Sequence, residues 1–148
     1  FTGLGAPYWN ANARGVLSGI TRDTGPNEII RAIIESVAYQ TYDLFEAMRL
    51  DGLKPKLVKV DGGMVMNNWF SQFLADINNV KVLRPKIHET TALGACFMAG
   101  LKIGVYKSLK DISNKWSLDK KFSPKVSSKF RMNLIKGWNV AVKRTLIT

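Results

Sequence analysis

The residues best placed to do chemistry lie in 56-KLVKVDGGMVMNNWF-70. There Gly62 and Gly63 follow an alternating, β-branched run, and Asn67 and Asn68 open an aromatic, helix-like one. Glycines after a strand let the backbone turn sharply and let a flat ligand lie against it with no Cβ in the way. An asparagine at a helix mouth can cap the first free N–H groups or offer its amide to a ligand bound there. A plain strand–turn–helix corner and a ligand cradle need the same residue types, so the pattern alone supports both.

Other chemistry has little material. His88 is the sole histidine, with Glu89 beside it, which leaves no His-rich metal site and no Ser–His–Asp triad; a surface or capping role is expected for it. Cys96 is the only cysteine and sits in the apolar run 92-ALGACFMAGL-101, so it is expected to be a small buried thiol in a reducing, cytoplasmic setting. The stretch 3-GLG-5 resembles the front of a dinucleotide fingerprint, but Tyr8 stands where the third glycine belongs and no helical pattern follows. A Walker-type G-x-x-x-x-G-K-[ST] loop is absent. No catalytic and no metal-ligating residue is assigned.

The elements that must position the corner follow from periodicity. The segment 26-PNEIIRAIIESVAYQTYDLFEAMR-49 reads as a helix with Ile30, Ile33, Ile34, Val37, Ala38, Thr41, Leu44, Phe45 and Met48 on one stripe. Pro26 and Glu28 suit its first turn, and Gly52 stands just past its end. Strands are predicted at 57-LVKV-60 and 80-VKVLR-84 and helices at 68-NWFSQFLADI-77 and 90-TTALGACFMAGLKI-103, a βαβα alternation that implies an α/β layer with helices packed on a sheet. The opening reads as loop followed by a short strand at 16-VLSGI-20. The tail reads as a short helix near 108–113, an extended piece over 116–125 and a last helix from about Val126 to Thr145.

Composition is that of a folded protein, with 46% hydrophobic and 22% charged residues in 148, the size of one domain. The apolar run before Lys102 is too short to cross a bilayer, so no membrane role is expected. The formal charge of +11 is unevenly spread: residues 1–100 hold 10 Lys or Arg against 9 Asp or Glu, and residues 101–148 hold 12 against 2. The lysines of that last third are dispersed and carry no nucleic-acid-binding signature, which favours a solvated surface over a specific nucleic-acid site. The chain opens on Phe1 in mid-pattern, as expected of a piece of something longer.

Four segments, FTGLGAPYWNANARG, GVLSGITRDTGPNEIIRAIIESVAYQT, VDGGMVMNNWF and ETTALGACFMAGL, resemble the C-terminal part of the FGGY carbohydrate-kinase family. Gly15 to Glu35 fits that family's C-terminal signature: an apolar–Ser–Gly–Ile core, a seven-residue spacer, Glu28-Ile29, and an acidic end at Glu35. The APYW and DGG-x-x-x-NN patterns favour its glycerol kinase branch over xylulose or gluconate kinases. The resemblance implies an actin-like, ribonuclease-H-like α/β fold, with residues 1–148 the C-terminal portion of the nucleotide-binding domain.

By the same resemblance the DGG stretch belongs to an adenosine-binding motif, so Gly63 and Asn67 are expected at the nucleotide and Gly62 in support of the turn. The implied parent reaction is in-line transfer of the ATP γ-phosphoryl group to glycerol, with Mg²⁺ neutralising charge. The family's catalytic aspartate, glycerol-binding residues and phosphate loops match nothing from Phe1 onward, so the segment alone is expected to be inactive and to meet glycerol only through the missing domain. Uncovered sheet edges would favour a homo-oligomer. The rival readings are a basic polyanion-binding module, resting on the charged tail, and a folded remnant that holds no ATP.

Overall fold

In the computed structural model residues 2–147 are described; Phe1, on which the FTGLGAPYW stretch opens, lies outside them. The chain runs β1 (Thr2–Leu4), β2 (Asn10–Arg14), α1 (Pro26–Leu50), β3 (Leu57–Lys59), a 3₁₀ turn (Gly63–Met66), α2 (Asn68–Asn78), β4 (Lys81–Pro85), α3 (Thr90–Lys102), α4 (Leu109–Ser113), β5 (Leu118–Phe122) and α5 (Ser128–Leu146). β3 and β4 pair in parallel, in the register Val58 to Val82, and are joined through α2 as a βαβ unit; β5 adds antiparallel on the far side of β4.

α1 begins and ends where local chemistry dictates. Pro26 occupies its first turn, the Glu28 carboxylate accepts from Gly25 N at 2.9 Å, and Gly52 leaves the helix at φ +88°. Its buried line is narrower than the apolar stripe: Ala38 and Phe45 enter the core with Ile34, Val37 and Met48 half-buried around them, while Ile30, Ile33 and Leu44 stay exposed. The core is closed by Phe70, Leu74 and Ala75 of α2, by Val80 and Val82, and by Phe122 of β5. Each large side chain buried there contributes about 1.5–3 kcal/mol.

Two expectations are corrected, and a third, the extended piece over 116–125, is met by a paired strand. The segment 16-VLSGI-20 forms no strand; Val16, Leu17 and Ile20 lie exposed, and the strand pairing occurs earlier, as a β1–β2 hairpin. A β-branched run makes a strand only with a partner for its ladder. The hairpin turn is instead closed by Tyr8 and Trp9 N–H groups on Gly5 O and by Asn10 Oδ1 accepting from Asn12 N and Ala13 N. The extended piece near Trp116 contains a true strand, β5. Cys96 is exposed, because α3 packs on the turn that follows it, Gly100 and Phe97 against Tyr106, and leaves its cysteine face outward.

α5 docks through Ile135 and Trp138 on Tyr39 and Ile77, with the Tyr39 and Trp138 rings stacked at 5.4 Å. Beneath them Asp43 of α1 is buried, accepts from Trp138 Nε1 at 2.7 Å and lies near the Tyr8 hydroxyl of the hairpin turn. Burial pushes its carboxyl above the ordinary range, and the Trp138 N–H and the Tyr8 hydroxyl pull it part of the way back.

Burial also raises three tyrosines: Tyr8 is pushed up to about 12, with the Asp43 charge adding to it, and Tyr39 and Tyr42 shift the same way beside Glu35 and Glu46. A folded pKa above the unfolded one means that the folded state holds protons longer. The stability these groups contribute is therefore complete below about pH 10 and is lost as pH rises through their folded values. Urea unfolding at about pH 9 and 11 is expected to show that loss, and Tyr39→Phe to reduce it; an identical decline in the variant would place it elsewhere.

Candidate functional site

The glycine corner forms at the carboxyl end of β3, where α/β sheets offer ligands a crevice. Gly62 sits at φ +85° and ψ 177°, a conformation essentially closed to residues with a Cβ, and its N–H donates to His88 O at 3.0 Å. That bond ties the exit of β3 to the loop between β4 and α3. A Cβ built on Gly62 or Gly63 meets nothing within 4 Å, so both glycines face open space. Met64 and Met66 of the 3₁₀ turn flank them, each about half exposed at 48% and 47%.

Asn67 resolves the two uses open to an amide at this point. It is the N-cap of α2: its Oδ1 accepts from Trp69 N at 2.9 Å and Phe70 N at 3.2 Å. Its Nδ2 donors have no protein partner among the described residues and face solvent beside the glycines. Asn68 is the first helical residue and takes no part in the cap. The cap uses only the amide oxygen and leaves the amide nitrogen of the same side chain unpaired among the described residues.

His88 sits at the same corner. Its carbonyl holds Gly62, while its Nδ1 is buried without a hydrogen-bond partner among the described residues. A buried polar atom left unpaired is costly in an isolated protein and is satisfied when a ligand group reaches it. Beside the corner a cleft of about 260 Å³ runs between the first turns of α1 and α2, lined by Asn27, Ile30, Arg31, Ile34 and Trp69. The Arg31 guanidinium lies 5.6 Å from the Trp69 ring centre.

What holds the corner in shape escaped the sequence reading. Arg84 of β4 is buried, and its Nη1 donates to Val65 O at 2.8 Å and Met66 O at 3.2 Å while its Nε pairs with Asp119 at 2.7 Å. Ser71 of α2, fully buried, donates from Oγ to the same Val65 O at 2.9 Å. The only hint in the sequence was an arginine directly after the apolar pair Val82-Leu83 of a strand, where a charge must find partners.

The structure therefore brings Gly62, Gly63 and Asn67 together on one open surface and adds His88 to them. Among the described residues no group of three or more His, Cys, Asp or Glu side chains could hold a metal ion, and no helix is long and apolar enough to cross a membrane.

Residues 1–103 match the family described as FGGY family of carbohydrate kinases, C-terminal domain. Glycerol kinase 1 of Pseudomonas aeruginosa is 55% identical over 144 residues, and the glycerol kinase of Ectopseudomonas mendocina 54% over 145; each alignment covers 97% of this chain and 29% of the relative. The chain spans about three-tenths of the length of the relatives it matches. Among solved structures, Plasmodium falciparum glycerol kinase with ADP superposes with a TM-score of 0.84 at 37% identity, covering 100% of this chain and 30% of that one. Xylulose kinase of Lactobacillus acidophilus gives 0.71 at 30% identity over 93% of this chain and 28% of its own. The α/β architecture is that of the actin-like ATPase fold these kinases share. The chain belongs to the FGGY family of carbohydrate kinases.

Proposed function

We propose that residues 1–148 form the C-terminal portion of the nucleotide-binding domain of a cytoplasmic glycerol kinase, which transfers the γ-phosphoryl group of ATP to glycerol and yields glycerol 3-phosphate and ADP. The observation that carries this reading is the level of the likeness: 55% identity to a glycerol kinase over 97% of the chain and, among superposed structures, 37% to a glycerol kinase with a TM-score of 0.84 against 30% and 29% for the xylulose and gluconate kinases of Lactobacillus acidophilus, at 0.71 and 0.69.

Gly62, Gly63 and Asn67 take the adenosine end of ATP. The corner fits a flat, partly apolar group: the glycines offer bare backbone, two methionines flank it, and the amide nitrogen of Asn67 is unpaired among the described residues. Mg²⁺ arrives with the ATP phosphates, and no step through it is assigned to this chain. The catalytic base and the glycerol contacts belong to the parent enzyme outside the matched segment.

Calorimetric titration of the 148-residue chain with adenosine, ADP and ATP tests the reading. Binding at the glycine corner no tighter than about millimolar is expected, with adenosine equal to ATP within about threefold there, because the phosphates find few partners at that corner. A coupled assay is expected to show no glycerol phosphorylation, and sedimentation to show self-association through the uncovered edge of β3 and exposed α3. Absence of any adenosine heat would leave a folded remnant that holds no nucleotide, and turnover near that of an intact kinase would sink the division of labour.

A further inference from the structure

At the end of the sheet opposite the glycine corner lies a second cleft, of about 430 Å³, walled by Arg49, Lys54, Lys56 and Lys81 with Asn79 and Pro124. It is built from the last turn of α1, the amino ends of β3 and β4, the residue after α2 and the residues after β5. Four cations and no carboxylate line it. Lys81 N donates to Lys56 O at 3.1 Å, which fixes the two lysines side by side at the start of the parallel pair.

Neighbouring like charges on adjacent strands repel, and Lys54, Lys56 and Lys81 have no ion-pair partner among the described residues. Arg49 is already anchored, through Nη2 to Asn78 O at 3.0 Å and through Nη1 to Glu46, so its guanidinium is held in place without ordering cost. Arg131 of α5 reaches Asn79 Oδ1 at 3.2 Å and brings a fifth cation to the rim. A concave site with one fixed cation, three unpaired ones, no carboxylate in its lining beyond the Glu46 partner of Arg49 behind it, and room for a small molecule suits a compact anion carrying phosphate groups.

We propose that this cleft binds a small phosphorylated anion, at a site separate from the nucleotide corner. The inference stands on the geometry of the cleft and does not depend on the glycerol kinase reading. Its cations come chiefly from residues 49–81, the part of the chain with balanced charge, so it also differs from a polyanion surface spread along the lysine-rich tail.

The test is titration of the 148-residue chain with inorganic pyrophosphate at low ionic strength, followed by backbone amide shifts. Saturable shifts are expected at Lys56, Asn79 and Lys81, with none at Gly62 or Asn67. Combined Lys54→Gln, Lys56→Gln and Lys81→Gln substitution is expected to weaken binding about 10-fold or more, whereas removing the same charge from α5 (Lys129→Gln, Lys136→Gln, Lys143→Gln) changes it by less than about 2-fold. Equal weakening by both triple variants, shifts centred on Gly62, or no saturation would overturn the proposal. So would displacement of pyrophosphate by a duplex oligonucleotide with its signals spread along α5.

Discussion

Replacing Arg84 by alanine is expected to lower the unfolding free energy by about 2–3 kcal/mol and to abolish adenosine binding at the glycine corner. The guanidinium is buried and makes three bonds: two to the carbonyls of Val65 and Met66 and one to Asp119. These partners respond differently to its loss. Asp119 is 41% exposed at its side chain and rehydrates, so that pair contributes little. Val65 O keeps the Ser71 hydroxyl. Met66 O, which is only part-buried, loses its partner, and the space left by the buried side chain adds a cavity cost. Asp119→Asn is therefore expected to cost under about 1 kcal/mol, and Arg84→Lys to fall between, since an ammonium restores the charge without the fork. Urea denaturation of the three variants checks the order; an Asp119→Asn loss equal to that of Arg84→Ala would show that the ion pair, and not the carbonyl brace, holds the turn.

The second large effect concerns the two glycines, which the same substitution should affect differently. Gly62→Ala is expected to cost about 1–3 kcal/mol, because φ +85° with ψ 177° is open to almost nothing but glycine. No neighbouring atom lies within 4 Å of the added carbon, so the cost is backbone strain alone. Relief of that strain moves Gly62 N away from His88 O and distorts the corner. Gly63→Ala has neither a positive φ nor a steric neighbour and is expected to leave stability within about 0.5 kcal/mol of the parent.

A loss of adenosine affinity in Gly63→Ala would then report ligand contact by itself, and unchanged affinity would remove Gly63 from the site. Asn67 separates in the same way. Asn67→Asp keeps the oxygen that caps α2 and removes the Nδ2 donors, so it is expected to hold the helix and weaken the nucleotide, while Asn67→Ala also costs about 1 kcal/mol of cap. Thermal unfolding beside calorimetry reads both properties in each variant.

The strand–turn–helix corner was legible because each of its parts is a local matter. An N-cap acts on residues two and three positions on, a glycine past a strand acts on its own φ, and Pro26 with Glu28 acts within one turn. Those residue types state their roles wherever they stand. Cys96 was misread for the opposite reason: an apolar helix records that it can be buried, and whether anything covers a given face depends on what packs against it. Ile30, Ile33 and Leu44 on α1 make the same point, since a stripe of helical period is wider than the strip that α2 and the sheet reach.

By itself, then, the sequence determined the βαβ alternation around Gly62, the start and stop of α1, an asparagine cap for α2, and the family whose residues these are. Only the tertiary structure decided that Arg84 braces the corner from 19 residues away, that Trp138 reaches Asp43 across 95, and that Arg49, Lys54, Lys56 and Lys81 share one cleft. The physical reason is range. Turn and cap energies depend on neighbours within a few bonds, whereas desolvation, ion pairing and packing depend on which distant segments arrive together, and a single sequence carries that only through the fold it makes.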